Sequence, residues 1–206
     1  MAFQIKHNIW FILFPIIAMV LACQEKPKQT FSWIKEGDIV FQIRPEKRYR
    51  IMSFITPATY NHCGIIVMSD DQPSILSAET TVKQMPLMEW IKLGEDSKFL
   101  ILRPVEKLQE SMKNIIRAAK SYKGRPYDYS YEWDERKIYN TELIQKAFYK
   151  GAGVHLGSVE IVEMIYIAPE DSTIFLELKH TLPNGKEVVP IETILNSALL
   201  KNILKN

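Results

Sequence analysis

Cysteine and glycine are scarce, at 2 and 8 of 206 residues. Two cysteines exclude a disulfide-stapled scaffold and a four-thiolate zinc site. The histidines at 7, 62, 155 and 180 have no paired ligand spacing, so neither a metal site nor a cofactor is expected. Charge of one sign is also missing. Lys plus Arg number 26 against 24 Asp plus Glu, a formal net charge of +2, with no run of five like charges. Binding to nucleic acid through its phosphates draws on a basic excess that this chain does not have, so no nucleic-acid partner is expected. No repeat and no Gly/Ser-rich or Pro-rich linker divides the chain, which points to one domain.

What is present begins with an export signature. Lys6 and His7 precede an uninterrupted apolar run over residues 9–22 that contains Pro15. A helix needs roughly 20 apolar residues to span a bilayer, so this run has the length of a secretory signal core. It ends Val20-Leu21-Ala22-Cys23, which resembles a bacterial lipobox in which Cys23 is lipidated and becomes the mature N-terminus. A plain secretory signal or an uncleaved anchor are the alternatives. The expected organisation is a signal peptide over 1–22, a lipid-anchored tether over 23–35 and a single domain over 36–206. The expected location is the cell envelope outside the cytoplasm, on a membrane reached through the lipid on Cys23, the outer membrane in a diderm cell. Cys63 is then the only thiol of the mature chain, and no internal disulfide can form.

Within the domain, runs rich in β-branched and apolar residues predict strands at 38–43, 64–68 and 98–103. The Ser69–Pro73 turn predicts a hairpin that returns through 74–78. Apolar residues at helical spacing predict helices over 108–122, from 143 to the glycine at 151, and over 191–203. Early strands flanked by later helices make an α+β plan with a mainly antiparallel sheet.

Three segments carry chemistry. Asn61-His62-Cys63-Gly64-Ile65-Ile66-Val67 places a histidine at the start of a buried strand. Ile75-Leu76-Ser77-Ala78 forms its hairpin partner. Gly124-Arg125-Pro126-Tyr127-Asp128 is followed by Tyr139-Asn140-Thr141-Glu142-Leu143, where a helix begins. Together with Gly37-Asp38-Ile39-Val40-Phe41-Gln42, Pro86-Leu87 and Trp90, their order resembles the circularly permuted papain-like amidases, the YiiX/YebB type of the wider NlpC superfamily. The resemblance covers about residues 36–150 and implies a permuted papain-like fold.

The family chemistry sets a cysteine at a helix N-terminus, where the macrodipole favours thiolate. A histidine takes the thiol proton and later protonates the leaving amine, and a third polar group orients its ring. Carried onto this chain, the histidine is His62, the nucleophile position holds Asn140 and the orienting Glu position holds Ser77. An asparagine amide nitrogen is not a useful nucleophile, so the plain expectation is a catalytically dead relative.

Three substitutes are conceivable. Cys63 neighbours His62 on a strand, so it points to the opposite face and reads as a small buried residue. Thr141 lies about 100° further round the helix and has no second base. Glu79, two residues beyond Ser77, shares its face if the strand continues, and could orient His62. Residue-level alternatives stay open: Asn140 as a helix N-cap, and His62 as a buried histidine bonded to backbone. The alternating Tyr127, Tyr129, Tyr131 and Trp133 could line a cleft with Glu79, Tyr139 and Thr141, or form a lid packed on the sheet. Three functions fit: a non-catalytic binding module for a peptide, cell-wall fragment or acyl ligand; a hydrolase of amide or ester bonds with another nucleophile; and a structural lipoprotein.

Overall fold

The computed structural model describes residues 31–46, 49–50, 59–162, 183 and 185–205. The export signal and Cys23 lie outside the described residues. Phe31–Asn206 forms one compact unit. Its centre is a six-stranded sheet made of β1 (Ile39–Gln42), β2 (His62–Ser69), β3 (Gln72–Ala78), β4 (Val82–Pro86), β5 (Phe99–Pro104) and β8 (Leu200–Lys205). The order across the sheet is β4-β3-β2-β1-β5-β8, and every neighbouring pair is antiparallel. A separate two-stranded ribbon pairs β6 (Glu160–Ile161) with β7 (Glu187–Val188). The α+β expectation, with a mainly antiparallel sheet, matches this architecture.

Strand alternation sorts the core into two layers. Ile39, Phe41, Cys63, Ile65, Val67, Leu76 and Ala78 face helices α2 (Met112–Lys120) and α3 (Asn140–Ala152). Val40, Ile66, Ile75 and Ile101 face the opposite way, against Leu87, Trp90 and Ile91 of α1 (Leu87–Lys92) and against Ile34. His62 begins β2, and the strand's alternation separates it from Cys63.

The β2–β3 hairpin turns on Asp70 and Asp71, both left-handed with φ of 48° and 58°. Such two-residue turns match the twist of their strands, and aspartate tolerates the conformation. Gly64 is required by packing: a Cβ there would lie 2.9 Å from the Leu76 carbonyl oxygen and 3.0 Å from the Ser77 Cβ. β2 and β3 can therefore close together beside the site only over a residue without a side chain.

Three sequence expectations need correction. The periodicity over 191–203 is not one helix. Helix α4 covers only Ile191–Leu195, and Leu200–Lys205 pairs with β5 as the sheet's edge. Sheet pairing overrides a helical spacing that Leu199, Leu200 and Ile203 continue. The helix expected over 108–122 is shorter, with a separate 3₁₀ turn at Glu106–Leu108. The alternating aromatics do not share one face: Tyr127 and Tyr131 are buried, whereas Tyr129 is exposed. The segment 124–139 that carries them is an irregular strap in which Tyr131 and Trp133 have φ of 52° and 38°, so strand alternation does not apply to it.

Candidate functional site

The site forms where the start of β2, the end of β3, α1 and the first turn of α3 converge. His62 is fully buried. Its ring stacks on Trp90 with centroids 5.5 Å apart and meets Tyr49 at 4.4 Å, tilted by 51°. The ring packs against two aromatics, and its two nitrogens make its directed contacts.

Those nitrogens point to two different groups. His62 Nε2 lies 3.0 Å from Glu79 Oε1. His62 Nδ1 lies 3.2 Å from the side-chain nitrogen of Asn140. The orientation of the Asn140 amide follows from its other bonds. Its Oδ1 accepts the Thr141 backbone N–H at 2.9 Å, and its Nδ2 donates to the Asn61 carbonyl at 3.1 Å. The remaining Nδ2 proton therefore donates to His62 Nδ1, which must carry a lone pair, and the imidazole proton sits on Nε2 and is donated to Glu79.

Asn61 supports this corner twice. Its carbonyl receives Asn140, while its side chain accepts the Arg44 N–H at 2.7 Å and donates to the Arg44 carbonyl at 2.9 Å. Asn140 is the first residue of α3, and Tyr139 is the cap residue, so Asn140 does not hold the N-cap position. The cap is closed by Glu142, whose Oε2 accepts the Tyr139 N–H at 3.1 Å.

Glu79 is a buried carboxylate ringed by donors. Tyr49 donates to its Oε2 at 2.5 Å. Ser77 and Trp90 Nε1 donate to its Oε1 at 3.0 Å and 3.2 Å. Arg44 Nη1 lies 3.4 Å from Oε2. Arg44 also pairs with Glu46, and its guanidinium lies 5.0 Å over the Tyr49 ring. Burial opposes ionisation of Glu79, but the His62 hydrogen bond above all, then the Tyr49 hydrogen bond and the Arg44 charge, hold its carboxyl well below the usual carboxylate range. Burial depresses the basicity of His62, and the Glu79 hydrogen bond only partly offsets that. The resting pair is therefore a neutral imidazole donating to a carboxylate.

Ser77 does not reach His62 directly. Its hydroxyl donates to Glu79 and accepts from Trp90 Nε1 at 3.1 Å. Cys63 is fully buried in the layer of α2 and α3, where burial pushes its thiol far above the ordinary range. Thr141 donates its hydroxyl to the Val189 carbonyl at 2.7 Å. Tyr139 accepts the Val189 N–H at 3.0 Å, so both residues clamp the segment that leads into α4. Tyr127 packs edge-on to Tyr49 at 6.4 Å. Glu79, Tyr127, Tyr139 and Thr141 are all buried.

Sequence reasoning missed Arg44 and Tyr49, which lie in a stretch without periodicity. A charged residue just after β1 was the one available signal. Among the described residues no group of three or more His, Cys, Asp or Glu is placed to hold a metal ion. No helix among them is long and apolar enough to cross a membrane.

Known proteins share this architecture. A family model described as permuted papain-like amidase enzyme, YaeF/YiiX, C92 family, matches residues 33–197. The uncharacterised protein YiiX of Escherichia coli K12 is 26% identical over 179 residues, which cover 85% of this chain and 89% of that protein. The crystal structure of yiiX from Escherichia coli O157:H7, described as a metalloprotein, superposes with a TM-score of 0.75 at 27% identity, covering 84% of this chain and 97% of that one.

Proposed function

This chain belongs to the permuted papain-like amidase family, and from that membership we propose that it is an exported, lipid-anchored member that binds but does not hydrolyse. The observation that carries the reading is Asn140. It faces His62 Nδ1 from the first turn of α3, where the resemblance sets a cysteine. Acyl transfer needs a nucleophile whose proton the imidazole removes. An amide nitrogen has its lone pair delocalised into its carbonyl. Here both its protons are already donated, one to Asn61 and one to His62. The base is thus occupied by a group that cannot attack.

Neither substitute nucleophile is supported by the geometry. The Cys63 thiol lies in the other core layer, and the Thr141 hydroxyl proton is bound to Val189. The ligand classes that fit the family's amide chemistry are a peptide, a cell-wall fragment or an acyl group. A second reading is a structural lipoprotein with no small ligand. It is favoured by the complete burial of His62 and Asn140.

The test is turnover. Purified full-length protein, challenged with peptide, muropeptide and acyl-ester substrates, should give no hydrolysis above buffer. Native mass spectrometry of the same preparation should show a bound peptide, muropeptide or acyl mass. Turnover that vanishes in His62→Ala would overturn the non-hydrolytic reading. A bare protein mass after exposure to all three ligand classes would favour the structural reading over the binding one.

A further inference from the structure

We infer that Glu79, seated by Ser77 and Trp90, is a positioning residue that has taken over the orientation of His62 from the position two residues earlier, near the end of β3, so that the scaffold lacks only its nucleophile. The inference rests on the reading of Asn140 as a replaced nucleophile.

β3 ends at Ala78, so Glu79 is the first residue beyond the strand, and what brings it beside Ser77 is the 3.0 Å hydrogen bond between them rather than strand alternation. A carboxylate starting at Glu79 has to bend back toward the Ser77 position to reach His62. Two donors hold it there. The Ser77 hydroxyl and the Trp90 indole N–H converge on Oε1, the same atom that faces His62 Nε2. The Trp90 indole N–H is also shared with the Ser77 hydroxyl. A serine at this position is therefore a small donor that leaves room for the Glu79 carboxylate. Tyr49 donates to Oε2, and Arg44 Nη1 lies 3.4 Å from the same oxygen.

The consequence is a fixed tautomer. Glu79 accepts only from an imidazole protonated on Nε2, which leaves the Nδ1 lone pair aimed at the first turn of α3. A thiol at that turn would transfer its proton from Sγ to Nδ1. This gives a thiolate at the helix N-terminus and an imidazolium whose second N–H remains on Glu79. No oxidant or third reactant is needed.

Two measurements test this. The first uses the unmodified site. Nitrogen-15 NMR of histidine-labelled protein should show His62 protonated at Nε2 and bare at Nδ1, and Glu79→Gln should populate the other tautomer or mix the two. A His62 protonated at Nδ1 in the wild-type protein would overturn the inference, whatever the outcome of the turnover assay.

The second uses Asn140→Cys after its fold has been checked. The site is buried, so thiolate ultraviolet absorbance is followed against pH rather than alkylation, with the wild-type spectrum subtracted to remove Cys63. The introduced thiol should ionise at least about a hundredfold more readily than an ordinary thiol of pKa about 8.5. Glu79→Gln should reduce that gain about tenfold or more, and His62→Ala should abolish it. Ser77→Glu should add nothing, because the carboxylate is already supplied. Ordinary ionisation in a folded Asn140→Cys protein, or ionisation indifferent to Glu79, refutes the inference. If Asn140→Cys does not fold, the tautomer measurement decides alone.

Discussion

Glu142 shows how tightly one residue can be engaged in this chain. One carboxylate oxygen accepts the Tyr139 N–H at 3.1 Å, and the other lies 2.8 Å from Lys146 Nζ. Burial pushes the Glu142 carboxyl up to about 7, against the opposing pull of Lys146 and the Tyr139 bond. The folded chain therefore holds this proton more tightly than the unfolded chain does. The associated stability is fully present below the unfolded value of about 4.3 and is lost as pH rises through about 7. Glu142→Gln keeps an acceptor for Tyr139 and removes the titration. Between about pH 5 and pH 8, denaturation midpoints of the wild type should fall relative to those of Glu142→Gln, by an amount equivalent to at most about 3 kcal/mol. Parallel pH profiles for the two proteins would show that Glu142 is ionised throughout.

At the scale of elements, α2 and α3 meet at Gly151. A Cβ there would lie 2.4 Å from the Ile115 backbone nitrogen and Cα. Backbone cannot yield as a flexible side chain can, so Gly151→Ala should push the helices apart and cost about 1–3 kcal/mol by urea denaturation. Helix α3 would otherwise gain from alanine, so a neutral or stabilising result would mean that the pair is loosely packed. The sheet was legible in the sequence where strands were apolar and bounded by turns, as at β1, β2, β3 and β5. The strand β4 and helix α1 were not, because Val82–Lys92 mixes lysine and glutamine with a proline and is too short to show a period. The edge strand β8 was misread because its apolar residues continue the spacing of α4, and only its pairing with β5 separates them. For the site, the motif order pointed to His62, Asn140 and Ser77; Glu79, which contacts His62 in the structure, entered only as a substitute two residues beyond Ser77. The donor ring around Glu79 was not legible, because Arg44, Tyr49 and Trp90 come together only through the fold. Sequence alternation in the strap was likewise uninformative, since left-handed residues at Tyr131 and Trp133 break the two-residue period.

At the scale of the whole molecule, the domain carries no membrane-spanning helix among its described residues. The proposed anchor is a lipid on Cys23, read from the lipobox-like sequence Val20-Leu21-Ala22-Cys23. Stable anchoring takes more than one acyl chain, which lipobox processing supplies. Cys23→Ser should move the protein from the membrane fraction to the soluble one, or leave an unprocessed precursor, on immunoblots of fractionated cells. Unchanged size and membrane association would refute the lipobox.

The last strand of the sheet has a colloidal consequence. β5 reads Phe99-Leu100-Ile101-Leu102-Arg103-Pro104, an apolar ribbon lying between β1 and β8. Without β8, that ribbon would offer its open hydrogen-bonding edge to any other chain. β8 takes up that edge and presents Lys201 and Asn202, both exposed, as the new boundary. A charged margin repels a second copy where an apolar one would template it. The C-terminal strand thus acts as a selvedge: it adds modestly to the core and keeps the sheet from growing into its neighbours.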